Sequence, residues 1–112
     1  MASREPDAGA VAATAEREGT TLRLRGALNL GSVPGLQAVC RKAVSAAGLQ
    51  VDLAQATEVD SSVLALLLAL RRDTEGTGGT FAVQNAPAAL RTLARLYGVE
   101  FLVDNAAPPV QA

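Results

Sequence analysis

The chain has 112 residues with a formal net charge of −1, and 49% of its residues are apolar. That is the size of one ordinary domain with material for a single core, and the near-neutral balance excludes the basic footprint of a nucleic-acid binder. One cysteine, Cys40, and no histidine exclude an internal disulfide and the histidine-dependent serine and cysteine hydrolases, and make a reducing, cytoplasmic compartment the expectation.

Met1 to Ala10 is polar and small, lacks the apolar stretch of a secretion signal, and reads as a disordered tail. Ala12 to Arg17 is weakly strand-like, and Gly19-Thr20 suits a turn. Thr21 to Arg25 alternates, with Leu22 and Leu24 on one face and Arg23 and Arg25 on the other, the mark of a strand with one wet side. The two strands are expected to form a hairpin. A first helix begins at Ser32, a suitable N-cap, with Pro34 in its first turn and Leu36, Val39, Cys40 and Ala43 at helical spacing; Gly48 stops it. Leu49 to Leu53 reads as a strand and Ala54 to Val59 as a connection. Asp60 to Glu75 is the second helix, broken by Gly76, Gly78 and Gly79. Thr80 to Gln84 is a strand. Asn85 to Pro87 opens a third helix with Leu90, Leu93, Ala94 and Tyr97 on one face, and Gly98 ends it. Val99 to Val103 reads as the last strand, and residues 104–112, with Pro108 and Pro109, as a flexible tail. Strands alternating with helices predict a mixed α/β domain over residues 11–103, a small sheet with parallel crossovers flanked by about three helices.

The second helix is unusually apolar. At about 100° per residue, Val63, Leu64, Leu66, Leu67, Leu68 and Leu70 cover an arc of roughly 200°. A helix lying on a small sheet normally buries little more than about 100°, so part of this surface is expected to stay open for another polypeptide. No stretch reaches the ~20 apolar residues of a membrane span. Where the helix begins, Asp60, Ser61 and Ser62 sit among free backbone N–H groups and the positive end of the helix dipole. Asp60 or Ser61 serves as cap, and a phosphoryl group on Ser61 is compatible with that end.

Val51-Asp52-Leu53-Ala54 followed by Val59-Asp60-Ser61-Ser62-Val63-Leu64-Ala65-Leu66-Leu67-Leu68 resembles the central signature of STAS domains, which include the anti-sigma-factor antagonists. Leu90-Arg91-Thr92-Leu93-Ala94-Arg95-Leu96-Tyr97-Gly98-Val99 resembles the third helix of MlaB-type proteins, the cytoplasmic STAS subunits of the Mla phospholipid-transport ABC complex of Gram-negative bacteria. The resemblance covers about Thr21 to Val103. It implies a STAS fold and a non-catalytic subunit that binds the transporter's ATPase subunit, peripheral to the inner membrane, in a system maintaining outer-membrane lipid asymmetry. It also implies that Ser61 matches the regulatory position phosphorylated in many anti-sigma-factor antagonists, so the alternative is such an antagonist, facing an anti-sigma kinase. Many relatives have glycine where this chain has Val63, and a branched side chain there is expected to crowd a kinase or to change the docking surface, which weakens the expectation of Ser61 phosphorylation more than that of partner binding. The expected partner-binding surface comprises Asp60, Ser61, Ser62, Val63, Leu66, Leu70, Arg91 and Arg95.

Other residue groups carry less. Thr74 to Gly79 is glycine-rich but follows a helix and lacks the lysine of a phosphate-binding loop, so it reads as a turn. Asp52, Glu58 and Asp60 lack histidine or cysteine companions and show no metal spacing; no metal or cofactor is implied. Cys40 reads as a small apolar helix residue, although Arg41 and Lys42 beside it would lower a thiol pKa. The ring of Tyr97 is expected against the sheet with its hydroxyl near water.

Overall fold

The computed structural model describes residues 12–106. In chain order the elements are β1 (Thr14–Glu18), β2 (Thr21–Leu28), α1 (Val33–Lys42), β3 (Leu49–Asp52), β4 (Ala56–Val59), α2 (Ser61–Gly76), β5 (Phe81–Gln84), α3 (Ala88–Leu96) and α4 (Glu100–Val103). The hairpin forms as expected, with β1 antiparallel to β2 from Thr14↔Arg25 to Glu18↔Thr21. The strand order is β1-β2-β3-β5, with β2, β3 and β5 parallel. Two successive crossovers that step in the same direction along a sheet, both right-handed, leave their helices on the same side. The alternation in the strands agrees. Leu22, Leu24, Leu28, Leu49, Val51 and Val83 are buried beneath the helices in one core cluster. The opposite face is wet and polar: Gln84 donates to Gln50 across the strands at 3.0 Å, and Asn85 Nδ2 donates to Asp52 Oδ1 at 2.9 Å.

Two elements differ from the sequence-based expectation. Residues expected to be a plain connection include β4, which pairs with the C-terminal part of β2 as a continuation of the β3 line. The register shifts between Gly26 and Ala27, and Gly26 has φ +89°, a left-handed conformation that glycine adopts without a Cβ penalty. With Thr57 and Glu58 exposed, β4 lacks the alternation that marks a half-buried strand. Val99 to Val103, expected as a strand, instead contains the single helical turn α4. The neighbours Leu102 and Val103 are both buried, which one helical turn allows and a flat strand, with neighbours on opposite faces, does not.

The glycine-rich stretch after α2 is structural. A Cβ on Gly79 would come within 2.7 Å of the Ser45 carbonyl oxygen and 2.9 Å of the Gly48 nitrogen, so the α1–β3 turn and the entry to β5 meet backbone to backbone. The expected tails at 1–10 and 107–112 fall outside the described residues. Asp104 to Ala106, placed by sequence in the C-terminal tail, are held to the domain by Arg91, Val83 and Arg71.

Candidate functional site

The start of α2 is fastened from two sides. Asp60 is its N-cap, in extended conformation, and one carboxylate oxygen accepts the Ser62 N–H at 2.9 Å and the Ser62 hydroxyl. The other oxygen accepts the Leu30 N–H at 2.8 Å. The Ser62 hydroxyl, with the Leu30 and Ser62 amides, holds the Asp60 carboxyl below the usual carboxylate range against a partial desolvation that acts the other way. Asp60 therefore caps α2 and ties it to the β2–α1 loop.

That loop is itself braced. The Ser32 hydroxyl donates to the Ala27 carbonyl at 2.7 Å and accepts the Asn29 N–H at 3.0 Å. Asn29 Oδ1 accepts the Gly31 N–H at 2.9 Å, and Asn29 Nδ2 donates to Glu58 at 3.2 Å. Ser32 occupies the N-cap position of α1, as its sequence suggested, but its side chain closes the loop and makes no capping bond to the helix. The result is a fixed backbone around Leu30, a residue that is 74% exposed. Water is an unfavourable surrounding for an isobutyl group, and a rigid loop that presents one suits contact with another surface.

The sequence placed Val63, Leu66 and Leu70 on the partner-binding surface. In the fold they are 0%, 3% and 0% exposed, part of the core rather than of any surface. The reason is that α2 is covered from three directions, by α1, α3 and β5, so its buried arc is much wider than that of a helix merely lying on a sheet. Val63 accordingly cannot crowd a kinase at the surface. The exposed residues of α2, on its outward face, are Ser61, Ala65, Arg72, Glu75 and Gly76, the first two at its start, with Leu68 and Ala69 half-buried. On one side a groove of about 390 Å³ runs between this face and α1, walled by Leu30, Pro34 and Gln37. On the other a groove of about 330 Å³ runs to Tyr97 and Val99 and is floored by Leu64 and Leu68. Ser61 and Ala65 border both grooves, so these two small residues form a low ridge between taller apolar walls. Tyr97 is 62% exposed and Leu96 75%; the tyrosine ring does not lie against the sheet but walls the second groove.

Of the adjacent serines, Ser62 is half-buried with its hydroxyl engaged by Asp60, whereas Ser61 is exposed and its hydroxyl has no partner among the described residues. Arg91 and Arg95 are exposed on α3 and each meets an acid of its own chain, Asp104 at 2.8 Å and Glu100 at 3.4 Å. Such solvent-exposed pairs contribute little stability and exchange readily for other partners. Cys40 is fully buried, and burial pushes its thiol up to about 11 despite the neighbouring Arg41 and Lys42. No group of metal-ligating side chains is present among the described residues, and none of their helices is long and apolar enough to cross a membrane. Sequence reasoning missed Leu30, Tyr97 and Leu68 as surface features. The available signal was a leucine set between Asn29 and Gly31, in a turn where nothing local buries it.

The fold is similar to that of the anti-sigma-factor antagonist SpoIIAA. Against the unphosphorylated form the TM-score is 0.62 with 19% identity, covering 82% of this chain and 85% of that one. Against the phosphorylated form, from Bacillus, it is 0.60 with 21% identity, covering 82% and 88%. An anti-sigma-factor antagonist from Mycobacterium paratuberculosis gives a TM-score of 0.58 with 20% identity, covering 81% and 80%. No curated protein matches the chain. Residues 11–104 match the family described as "Mlab, STAS domain". With that match spanning most of its length and the strand order and helices just described, the chain belongs to the STAS domain family.

Proposed function

We propose that this chain is a non-catalytic docking subunit that binds the ATPase subunit of an Mla-type ABC phospholipid transporter through the ridge at Ser61 and Ala65 and the grooves beside it. The observation that carries the reading is a rigid, capped helix start framed by exposed Leu30 and Tyr97, a shape suited to receiving apolar side chains of another protein. The chemistry of the site favours binding over catalysis. Asp60 is the one carboxylate among the described residues that line the grooves beside the serines, it is already hydrogen-bonded by three donors, and its lowered proton affinity makes it a weak general base. The choice of an ATPase partner is supported by the family description and by the likeness of Leu90 to Val99 to MlaB-type sequences. Nucleotide hydrolysis and lipid passage then belong to other subunits, which hold this chain at the cytoplasmic side of the inner membrane.

Co-purification with the ATPase subunit, lost on Leu68→Glu or Tyr97→Ala while the fold is retained, is the expected result. Normal transporter assembly and phospholipid transport after deletion of the chain would reject the reading.

A second reading has its own observation. Ser61 presents a free hydroxyl at the N-terminal end of α2, the geometry that suits an anti-sigma-factor antagonist switched by phosphorylation. Added charge there would sit on the ridge itself and disturb docking. A Ser61→Asp chain that binds every candidate anti-sigma kinase as well as the parent does would exclude this reading.

A further inference from the structure

The path β1-β2-β3-β5 ends in two outer strands, β1 and β5, and they are protected by different means. An outer strand offers unpaired N–H and C=O groups on which a strand of another molecule can add, and proteins blunt such edges with charge or by covering them. On β1 the protection is charge. Its sequence is Thr-Ala-Glu-Arg-Glu, with Glu16, Arg17 and Glu18 exposed and Glu16 and Glu18 paired to Arg25 and Arg23 of β2.

The strand β5 has no such device. Phe-Ala-Val-Gln carries no charge and no proline, a composition prone to intermolecular pairing. Leu49 N–H donates to the Thr80 carbonyl at 2.9 Å and Leu53 N–H to the Gln84 carbonyl at 3.0 Å, so residues 80, 82 and 84 turn their backbone groups towards β3. Phe81 and Val83 turn theirs outward. At Val83 both outward groups are taken by a single side chain: Asn105 Oδ1 accepts the Val83 N–H at 2.7 Å and Asn105 Nδ2 donates to the Val83 carbonyl at 3.0 Å. The carboxamide stands where the peptide group of a neighbouring strand would stand.

The chain around Asn105 is shaped for this contact. Asn105 has φ +56°, the left-handed conformation that asparagine tolerates better than other non-glycine residues, and this reverses the chain after α4 so that the side chain reaches back to β5. The flanking residues also meet the domain. Arg71, over the Phe101 ring at 5.2 Å, donates to the Ala106 carbonyl at 2.9 Å, and the exposed Arg91 lies 2.8 Å from Asp104.

We propose that Asn105 is an edge guard: its amide occupies the exposed hydrogen-bonding site of β5 and prevents the β5 strand of a second copy of this chain from adding to the sheet. A second copy is the relevant competitor because a neutral, apolar strand pairs well with itself about a two-fold axis. The proposal is independent of what the helical ridge binds.

The test compares the full chain with Asn105→Gly, which removes the carboxamide and keeps a residue at ease at positive φ. Amide hydrogen exchange at Val83 is followed at low protein concentration, and sedimentation velocity is followed over a hundredfold concentration range. At low concentration the variant is expected to exchange the Val83 amide at least tenfold faster while Ala82, bonded to β3, is unchanged. As concentration rises it is expected to self-associate more strongly than the parent. Adding Gln84→Lys, which gives β5 the kind of charge β1 carries, should return the association to the parental level. Unchanged Val83 exchange, or association equal to that of the parent at every concentration, would overturn the proposal. If Asn105→Gly fails to fold, Asn105→Ser, too short to bridge both Val83 groups, is read by the same two measurements and the same criteria.

Discussion

The two faces of α2 sit a fraction of a helical turn apart and are built on opposite terms. Inward, Val63, Leu64, Leu66, Leu67 and Leu70 are all buried, held by α1, α3 and the sheet. Outward, Ser61 and Ala65 are small and exposed, and Leu68 is the one large apolar residue that straddles the boundary. The inward face is where the energy of the fold lies, at about 1.5–3 kcal/mol for each fully buried large aliphatic side chain. The outward face contributes little to stability, and its smallness keeps the two flanking grooves open. Its apolar character comes from other elements, Leu30 in the β2–α1 loop and Tyr97 after α3. An apolar helix can thus border two open grooves while lending their exposed walls few of its own leucines.

The sharpest way to break this division is Leu67→Ala on the inward face. It should lower the unfolding free energy by about 2–5 kcal/mol, read from urea denaturation. A loss under ~1 kcal/mol would mean that the core is not as closely packed around α2 as its burial implies. At the junction of the two faces, Asp60→Ala should cost about 1–2 kcal/mol through the lost cap and loosen the Leu30 loop, visible as faster exchange of the Leu30 amide. The same residue has a pH signature. Its folded-state pKa is depressed, so its contribution is complete above the unfolded carboxylate value of about 4 and is lost as the pH falls below it through the lower folded value. Asp60→Asn should therefore lose less stability than the parent between pH 5 and 2, measured by chemical denaturation across that range.

On the outward face, Ala65→Glu should change stability by no more than about 0.5 kcal/mol and weaken partner binding at least tenfold, by titration calorimetry. If it unfolds the chain instead, the ridge belongs to the core and the division fails. The smallest effect concerns Cys40. Buried, with its thiol pushed up to about 11, it should resist alkylation at pH 8 in the folded chain and react on unfolding, with no change in docking before that point.

Much of the architecture is local in origin and could be read directly. The alternation of Leu22 and Leu24 with Arg23 and Arg25 sets the wet and dry faces of β2. The capping chemistry of Asp60 starts α2 within a residue of where it was expected, and Gly98, at φ +72°, closes the stretch that contains α3. The Asp-Ser-Ser signature marked a helix start, and Asp60 is the N-cap of α2 with Ser61 as its first residue. What failed was non-local. β4 is a strand because β2 extends beyond Arg25 to offer it a partner, and nothing within Ala56 to Val59 encodes that partner. Val99 to Val103, apolar except for Glu100, is too short for its period to separate strand from helix; the core decided, by having room for Leu102 and Val103 together.

The same distinction governs the site. Residue types and their spacing along the chain determined which segments are helical, which end of α2 carries free N–H groups, and that this helix is too apolar to be an ordinary surface element. Which of its side chains remain outside was decided by the tertiary structure alone, because burial depends on what α1, α3 and β5 bring alongside. Three covering elements put Val63, Leu66 and Leu70 inside and left Ser61 and Ala65 as the ridge. The contact of Asn105 with Val83, 22 residues apart along the chain, likewise exists only once α4 has turned the chain back onto the sheet.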